Sequence, residues 1–205
     1  WLTPDWVCSP QKNGGALERS PLLRGSRPNI ELQVSRVESS TWDLFKEHHY
    51  LTSKGNKAYA HYLFTWGDVP VAINVISPLP SAYIKRAFRS SRIVVLPDFQ
   101  GLGIGLAVSK FIASIYKNDG RRYYTKTIHP ALGEHRNLYT KDWRPTNDNG
   151  KVRKKRKKDA NYASHWAHNS RISYCHEYVG EALDGYQDLI LPIKEIRDKN
   201  LKLEL

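Results

Sequence analysis

Apolar and polar residues alternate along several segments in the way that half-buried β-strands require. Residues 30–37 follow this alternation, and residues 58–65 and 69–77 form two further strand-like runs. Trp66-Gly67-Asp68 lies between those two runs and predicts a hairpin turn. Residues 91–96 contain the continuous apolar run Ile93-Val94-Val95-Leu96, which predicts a buried central strand. We therefore expect four strands in the first half of the chain.

A first helix is predicted between the first two of these strands. It is expected to begin at a Ser or Thr cap among residues 39–41, to end near residues 48–51, and to bury Trp42, Leu44 and Phe45.

The second half of the chain predicts two more helices between further strands. An amphipathic helix ends at residues 118–120, and a short helix covers residues 129–139. Residues 123–128 and 172–180 predict strands, whereas the tail at 189–205 fits either a strand or a helix. The expected buried side of the longer helix consists of Leu106, Val108, Phe111, Ile112 and Ile115.

The domain organisation is predicted from the breaks in this periodicity. Residues 1–29 carry several prolines and Gly14-Gly15 and are expected to form an N-terminal arm. Residues 30–205 then form one domain with a polar, basic insertion at 144–170. Within the insertion, the candidate nucleic-acid-binding residues are Lys151, Arg153, Lys154, Lys155, Arg156, Lys157 and Lys158.

The composition of the 205 residues excludes several classes of protein. Hydrophobic residues make up 40%, which is enough for a core, and no apolar run is long enough to span a bilayer. Cys8 and Cys175 cannot form a disulfide framework, and the pair His165 and His168 has no acidic partner in a known motif, so no metal is expected. The net charge of +12 favours a polyanionic partner. No signal-peptide pattern is visible, which indicates a cytoplasmic protein.

A glycine-rich turn follows the buried strand and opens the longer helix. Gly101, Gly103 and Gly105 remove side chains that would block a ligand, and the unpaired amides at a helix start favour phosphate or diphosphate. The dinucleotide spacing Gly-x-Gly-x-x-Gly is absent, and so is the Lys-Ser/Thr pair of a P-loop. The turn therefore indicates a phosphate site of another kind.

The segment from Arg92 to Gly105 resembles the central signature of the GNAT family of N-acetyltransferases. In that signature, an apolar strand and a proline lead into Gln/Arg-x-x-Gly-x-Gly/Ala at a helix start, and this chain matches at Gln100, Gly103 and Gly105. The order of elements over residues 30–180 is similar as well. The resemblance implies an α+β fold, with a mixed, mostly antiparallel twisted sheet flanked by helices. It also implies acetyl-CoA as co-substrate.

The resemblance further implies how acetyl-CoA is held. The backbone of a bulged signature strand would bond the pantetheine, a strand amide near Val95 would polarise the thioester carbonyl, and the glycine turn would hold the diphosphate. The implied cofactor-binding residues are Val94, Val95, Leu96, Gln100, Gly101, Leu102, Gly103, Ile104 and Gly105.

A tyrosine that protonates the departing CoA thiolate is the second feature that the resemblance implies. Leu138-Tyr139 resembles the start of the family's Leu-Tyr-x-x-x-Gly-Phe ending, but the Gly is replaced and the aromatic Trp143 comes one residue early. Tyr139 is therefore a candidate acid, with a packing role as the alternative. The ordinary pKa of tyrosine, about 10, suits a thiol leaving group.

Candidate proton acceptors for the amine are His48 and His49, at the end of the first predicted helix, and His129. A neutral imidazole near the acetyl group could take the proton. The alternatives are that His48 and His49 cap the helix and that His129 is a turn residue before Pro130. Glu177 is a further candidate, and a chain of water molecules could replace an individual base.

The identity of the acceptor is suggested by charge and by a second resemblance. Aromatic residues flank the basic run, as in surfaces that track phosphates and stack bases. The segments Trp42–Leu51 and His129–Leu132 are similar to a GNAT group of phages and mobile elements, some of which act in DNA modification. We therefore expect acylation of an amine on nucleic acid, with DNA favoured and the host-cell cytoplasm as location if the gene is phage-encoded. The alternatives are a small-molecule or protein N-acetyltransferase and a non-catalytic nucleic-acid-binding module.

Overall fold

The computed structural model describes residues 30–49, 60–152 and 172–195, together with the backbone of two strands, β1 (Trp6–Gln11) and β2 (Gly14–Arg19). Ten strands of this described part form one sheet in the order β1-β2-β3-β4-β5-β6-β7-β10-β8, and β9 pairs with β10. The remaining strands are β3 (Leu32–Val37), β4 (Ala60–Trp66), β5 (Val69–Pro78), β6 (Ala87–Val95), β7 (Arg122–Thr127), β8 (Trp143–Pro145), β9 (Lys151–Val152) and β10 (Ile172–Tyr178).

All neighbouring strands of this sheet are antiparallel except β6 and β7, which are parallel. A parallel pair needs a crossover, and the longest helix provides it between these two strands. The helices are α1 (Ile104–Asn118), α2 (Pro130–Leu138) and α3 (Gln187–Ile190). The predicted α+β class and the mostly antiparallel sheet are confirmed. No helix in the described ranges is both long and apolar enough to cross a membrane.

The two faces of the sheet are covered differently. On one face, α1 packs against β5, β6 and β7, and it buries the predicted residues Val108, Phe111, Ile112 and Ile115 in the main core. On the opposite face, a smaller cluster contains Trp42, Phe45, Ile73, Val75 and Val94. We call this second surface the open face, because the helices α1 and α2 lie on the other side.

The first predicted helix is not an α-helix. The segment forms two 3-10 turns, Ser39–Leu44 and Lys46–His48, and the residue before the first turn is Glu38, with no side-chain cap. Trp42 and Phe45 are three residues apart, which matches the three-residue period of a 3-10 helix, and both are buried. Leu44 falls on the other side and is 60% exposed, contrary to its predicted burial.

Other elements match their predictions more closely, with shifted ends. The hairpin of β4 and β5, the strand β7 and the helix α2 are confirmed. The expected arm contains β1 and β2, which pair with each other and extend the sheet through β3, while the boundary between arm and domain stays a prediction. Strand β6 begins four residues earlier than expected, at Ala87. The expected insertion contains β8 in part and β9.

Candidate functional site

Strands β6 and β7 separate from each other at the centre of the sheet. Their parallel ladder joins only Ala87–Ser90 to Arg122–Thr125, whereas β6 continues to pair with β5 as far as Val95. The register between β5 and β6 shifts at Ser91, which forms a bulge, and the Ser91 hydroxyl donates to the Val75 carbonyl at 3.0 Å. Beyond Ser90, no described strand pairs with β6 on its β7 side, so a crevice opens there.

A buried polar cluster that the sequence analysis missed fixes the point of separation. The Ser90 hydroxyl donates to Asn74 Oδ1 at 2.8 Å, and Asn74 Nδ2 donates to the Tyr123 hydroxyl at 3.3 Å. Burial raises the pKa of Tyr123 to about 12, so the phenol stays protonated. These bonds connect β5, β6 and β7. The one signal in the sequence is Asn74 itself, a polar residue inside an apolar strand.

The glycine turn begins where β6 ends. The Leu96 amide donates to the Val71 carbonyl at 2.9 Å, and Pro97–Phe99 then form a 3-10 turn. Gln100 Nε2 donates to the Val95 carbonyl at 2.9 Å and so ties the turn back to the strand. A direct contact between Gln100 and a diphosphate stays a prediction.

The turn exposes backbone amides at the start of α1. Gly101 has φ +79° and Gly103 has φ +82°, a region that side-chain-bearing residues rarely adopt. The Gly103 carbonyl accepts from the amides of Leu106 and Ala107, at 3.1 and 3.2 Å. The amides from Gly101 to Gly105 have no acceptor within the described residues. They lie at the positive end of a 15-residue helix, an arrangement that fits a phosphate group.

The predicted cofactor residues therefore lie together, from the end of β6 to the first turn of α1. Val94, Val95 and Leu96 border the crevice with their backbone, although the Val94 side chain points to the open face and is buried in the smaller cluster. A Cβ atom added to Gly105 would lie 3.6 Å from the Val95 side chain, so the start of α1 packs closely on the strand.

Tyr139 lies at the C-terminal end of α2, where its ring stacks on His135 with centroids 4.1 Å apart. Both ring nitrogens of His135 are buried without a hydrogen-bond partner, and burial lowers the pKa of this histidine, so the ring is neutral. Lys110 of α1 forms an ion pair of 2.7 Å with Asp142, which follows α2 in the chain. Sequence reasoning missed His135, whose only signal is its i, i+4 spacing to Tyr139.

The three candidate histidines do not lie on one element. His48 is exposed, and His49 is half-buried with its ring edge-on to Trp42 at 5.6 Å. His129 is exposed at the start of α2, where its amide donates to the Thr127 hydroxyl at 3.0 Å. His129 and Tyr139 are about 15 Å apart along the helix axis. They are therefore separate candidates, and the role of each stays a prediction.

Glu177 is held in ion pairs, which argues against its role as the base. Its carboxylate accepts from Arg122 and from Arg144, each at 2.6 Å. Burial alone would raise the pKa of Glu177, but the hydrogen bonds from the two arginines bring it below the ordinary value. A carboxylate of this kind is a weak proton acceptor.

The rest of the predicted basic site is only partly described. Lys151 lies in β9, where its side chain is 65% exposed and 3.9 Å from Asp148. The other predicted cations, Arg153 to Lys158, lie outside the described residues, as do His165 and His168. Among the residues with described side chains, no group of three or more His, Cys, Asp or Glu could hold a metal ion.

His176 of β10 is expected to make the stability of the fold depend on pH. The residue is fully buried, its Nε2 lies 2.8 Å from Asn137 Oδ1, and burial, followed by the charge of Arg136, lowers its pKa from 6.5 to about 4. The unfolded chain therefore binds the proton more readily, and stability is lost as the pH falls from 6.5 towards 4. His176→Gln keeps a donor for Asn137 and should remove this loss.

The measurement is the free energy of unfolding in urea at pH 7 and at pH 4.5. We expect the wild type to lose on the order of 2–3 kcal/mol more than His176→Gln between these two values. Other titrating groups are common to both proteins and cancel in the difference. Equal losses in the two proteins would contradict the assignment.

The comparisons with known proteins concern the fold. No protein-family model matches the chain, and no curated protein matches it. The Salmonella typhimurium protein yncA, assigned as an acetyltransferase and solved with its cofactor acetyl-CoA, is 9% identical with a TM-score of 0.51 over 75% of this chain and 96% of its own.

Two further structures are similar to a lesser degree. The ribosomal-protein-S18-alanine N-acetyltransferase of Escherichia coli is 11% identical, with a TM-score of 0.49 over 76% of this chain and 97% of its own. A GNAT family acetyltransferase of Elizabethkingia anophelis with acetyl-CoA bound is 15% identical, with a TM-score of 0.43 over 74% of this chain and 98% of its own. The similarity to yncA shows that the mixed α+β fold of this chain matches the fold of that structure, as the motif predicted.

Proposed function

We propose that the chain is an N-acetyltransferase that uses acetyl-CoA. The observation that carries the proposal is the crevice between β6 and β7, which leads directly to unbonded amides at the start of α1. An unpaired strand edge suits the amide groups of a pantetheine arm, and the amides from Gly101 to Gly105 suit a diphosphate. Acetyl-CoA has both groups in one molecule, and it supplies an acetyl group activated as a thioester.

In the proposed reaction, the acceptor nitrogen bonds to the acetyl carbon as the bond from that carbon to sulfur breaks. A strand amide near Val95 donates to the acetyl oxygen, where negative charge develops. Tyr139 gives its proton to the departing thiolate. The ammonium proton passes to one of His48, His49 or His129, or to a chain of water molecules.

For the acceptor, we propose an amine carried by nucleic acid, such as an aminoalkylated base in phage DNA. The net charge of +12 and the run of cations at 151–158 support this choice, because such a run needs anions to neutralise it. The chemistry requires the base to be single-stranded or flipped out of a duplex. Acetylation of free amines instead of DNA would favour the small-molecule or protein alternative, and failure to bind CoA would favour the binding module.

The experiment follows release of the CoA thiol from acetyl-CoA in the presence of amine-modified single-stranded DNA, unmodified DNA and free amines. Thiol release and acetylated DNA with the modified strand alone would support the proposal. A protein that binds CoA but transfers acetyl to none of these acceptors would contradict it. Deletion of residues 151–158 should weaken DNA binding while leaving CoA binding unchanged.

Tyr139→Phe tests the proposed acid. We expect the rate of acetyl transfer to fall on the order of 100-fold or more, because the thiolate loses its proton donor. The dissociation constant of acetyl-CoA should remain unchanged, since phenylalanine keeps the stack on His135. Tyr83→Phe is the matched control, because Tyr83 is 96% exposed in a loop and should have no effect. An unchanged rate in Tyr139→Phe would assign this residue to packing.

A further inference from the structure

A row of four polar side chains, three of them charged, crosses four strands on the open face. In the pairing register, Arg89 of β6 lies beside Tyr124 of β7, Tyr124 lies opposite Glu177 of β10, and Glu177 lies opposite Arg144 of β8. Residues in register point to the same face of a sheet, and the ion pair of Glu177 with Arg144 agrees with this placement. The row spans three strand spacings, about 14 Å.

Further cations lie on the same face of β6 and β7, and Arg92 is among them because the bulge at Ser91 shifts the alternation of β6 by one residue. Arg122 and Lys126 flank Tyr124 at two residues on either side, and Arg92 lies over the Trp42 ring at 5.5 Å. The side chains of Arg144 and Arg122 are 62% and 45% exposed, whereas Glu177 is only 10% exposed. This surface, which we call the cationic row, consists of Arg89, Arg92, Arg122, Lys126, Arg144 and the single acid Glu177.

We propose that the cationic row binds the phosphate backbone of the nucleic acid that presents the acceptor amine, an inference that rests on the proposed function. The position of the cationic row at the crevice supports this proposal. The ladder between β6 and β7 ends at Ser90 and Thr125, and the next residues of these strands on the open face are Arg92 and Lys126. They therefore flank the mouth of the crevice on the side opposite α1. A phosphate held there would bring an attached base to the crevice.

The chemistry of the cationic row favours nucleic acid over a membrane or an acidic peptide. Its arginines present planar forks that match phosphate oxygens. None of the large exposed apolar side chains of the described residues lies on β6, β7 or β8, and Ile172 of β10 is five residues from Glu177 and so points to the opposite face. A membrane-binding surface needs such apolar groups. Lys151 of the described strand β9 adds a further cation beside β10, where it lies opposite Ser173.

The sharpest variants change Arg89 and Lys126, because both are exposed and neither has an ion pair within the described residues. Arg122 and Arg144 are less suitable, since their loss would leave the buried carboxylate of Glu177 without a partner. The test is the double variant Arg89→Glu with Lys126→Glu, and Arg89→Gln with Lys126→Gln is a milder version. Lys141→Glu changes an exposed lysine in the turn after α2 and lowers the net charge by 2, as the double Gln variant does, so it is the control for net charge.

Binding of labelled oligothymidylate to the full chain is measured by fluorescence anisotropy over a range of salt concentrations. We expect the double Glu variant to bind about 10-fold more weakly or worse at 0.1 M salt, and the slope of log K against log salt to shrink by roughly 1.4 for two lost phosphate contacts. The double Gln variant should show the same reduction in slope, and Lys141→Glu should keep the wild-type slope.

Unchanged binding in the double Glu variant would overturn the proposal, as would wild-type binding to poly-glutamate or to phosphatidylserine vesicles that equals its binding to DNA. A wild type that binds no oligonucleotide would overturn it as well. Thermal stabilisation by CoA is measured on the same proteins and should be unchanged. A chain that binds DNA through the row but not CoA would refute the proposed acetyl transfer and leave the cationic row supported.

Discussion

Gly101→Val is expected to lower the affinity for CoA on the order of 100-fold. Valine is strained at φ +79°, so the turn should relax to a negative φ and redirect the amides that we propose hold the diphosphate. Loss of two hydrogen bonds to a charged phosphate costs about 3 kcal/mol, which corresponds to this factor. The affinity is measured by titration calorimetry with CoA and by the thermal shift that CoA produces.

The chain offers a matched control for this strain. Gly185 has φ +90°, and a Cβ atom added to it meets nothing within 4 Å, which is equally true of Gly101. Both Val variants should therefore lose a similar stability, roughly 1–2 kcal/mol. Only Gly101→Val should weaken CoA binding. Equal weakening in the two variants, or wild-type affinity in Gly101→Val, would contradict a diphosphate site at this turn.

Gly133→Ala is expected to destabilise the fold by roughly 3 kcal/mol or more. A Cβ atom at this position would lie only 2.0 Å from Cγ and 2.3 Å from Cδ2 of the Tyr174 ring, because α2 crosses β10 in direct contact with that side chain. Alanine would otherwise favour the helix by about 1 kcal/mol, so the sign of the effect depends on packing. The free energy of unfolding in urea provides the measurement.

Two comparisons identify the cause of this loss. Gly105→Ala places its Cβ 3.6 Å from Val95, an ordinary contact in a helix, and should leave stability unchanged or slightly higher. Gly133→Ala combined with Tyr174→Ala should be less destabilised than the sum of the two single variants, because the clashing ring is gone. Strict additivity would show that the two residues are not in contact.

The sequence predicted those elements whose pattern depends on local chemistry. The hairpin at Gly67 and Asp68 and the glycine turn before α1 were found because glycine marks the positions where the backbone needs it. The period of α1 was also visible, since four of the five apolar positions expected on its inner side are buried. The nine predicted cofactor residues, 94–96 and 100–105, lie between the end of β6 and the first turn of α1, and their contact with acetyl-CoA stays a prediction.

The misses have a common physical origin, because each depends on contacts made far along the chain. The segment around Trp42 and Phe45 became two 3-10 turns where its two rings dock on Val94 of the open face. Glu177 looked available as a base, but arginines from two other strands neutralise it. Asn74 donates to the Tyr123 hydroxyl, a partner that only the assembled sheet brings to it. The spacing of residues along the sequence does not predict contacts between residues that are far apart in the chain.

The short ladder between β6 and β7 has a consequence for how the molecule forms. Strands β1 to β6 each pair with their neighbours along the chain, so that half needs only local loop closures. The parallel ladder of four residue pairs must await the whole crossover through α1. We therefore expect it to close late in folding. The crevice would then form only when β7 pairs with β6, and a partly folded chain would not bind a nucleotide-bearing thioester.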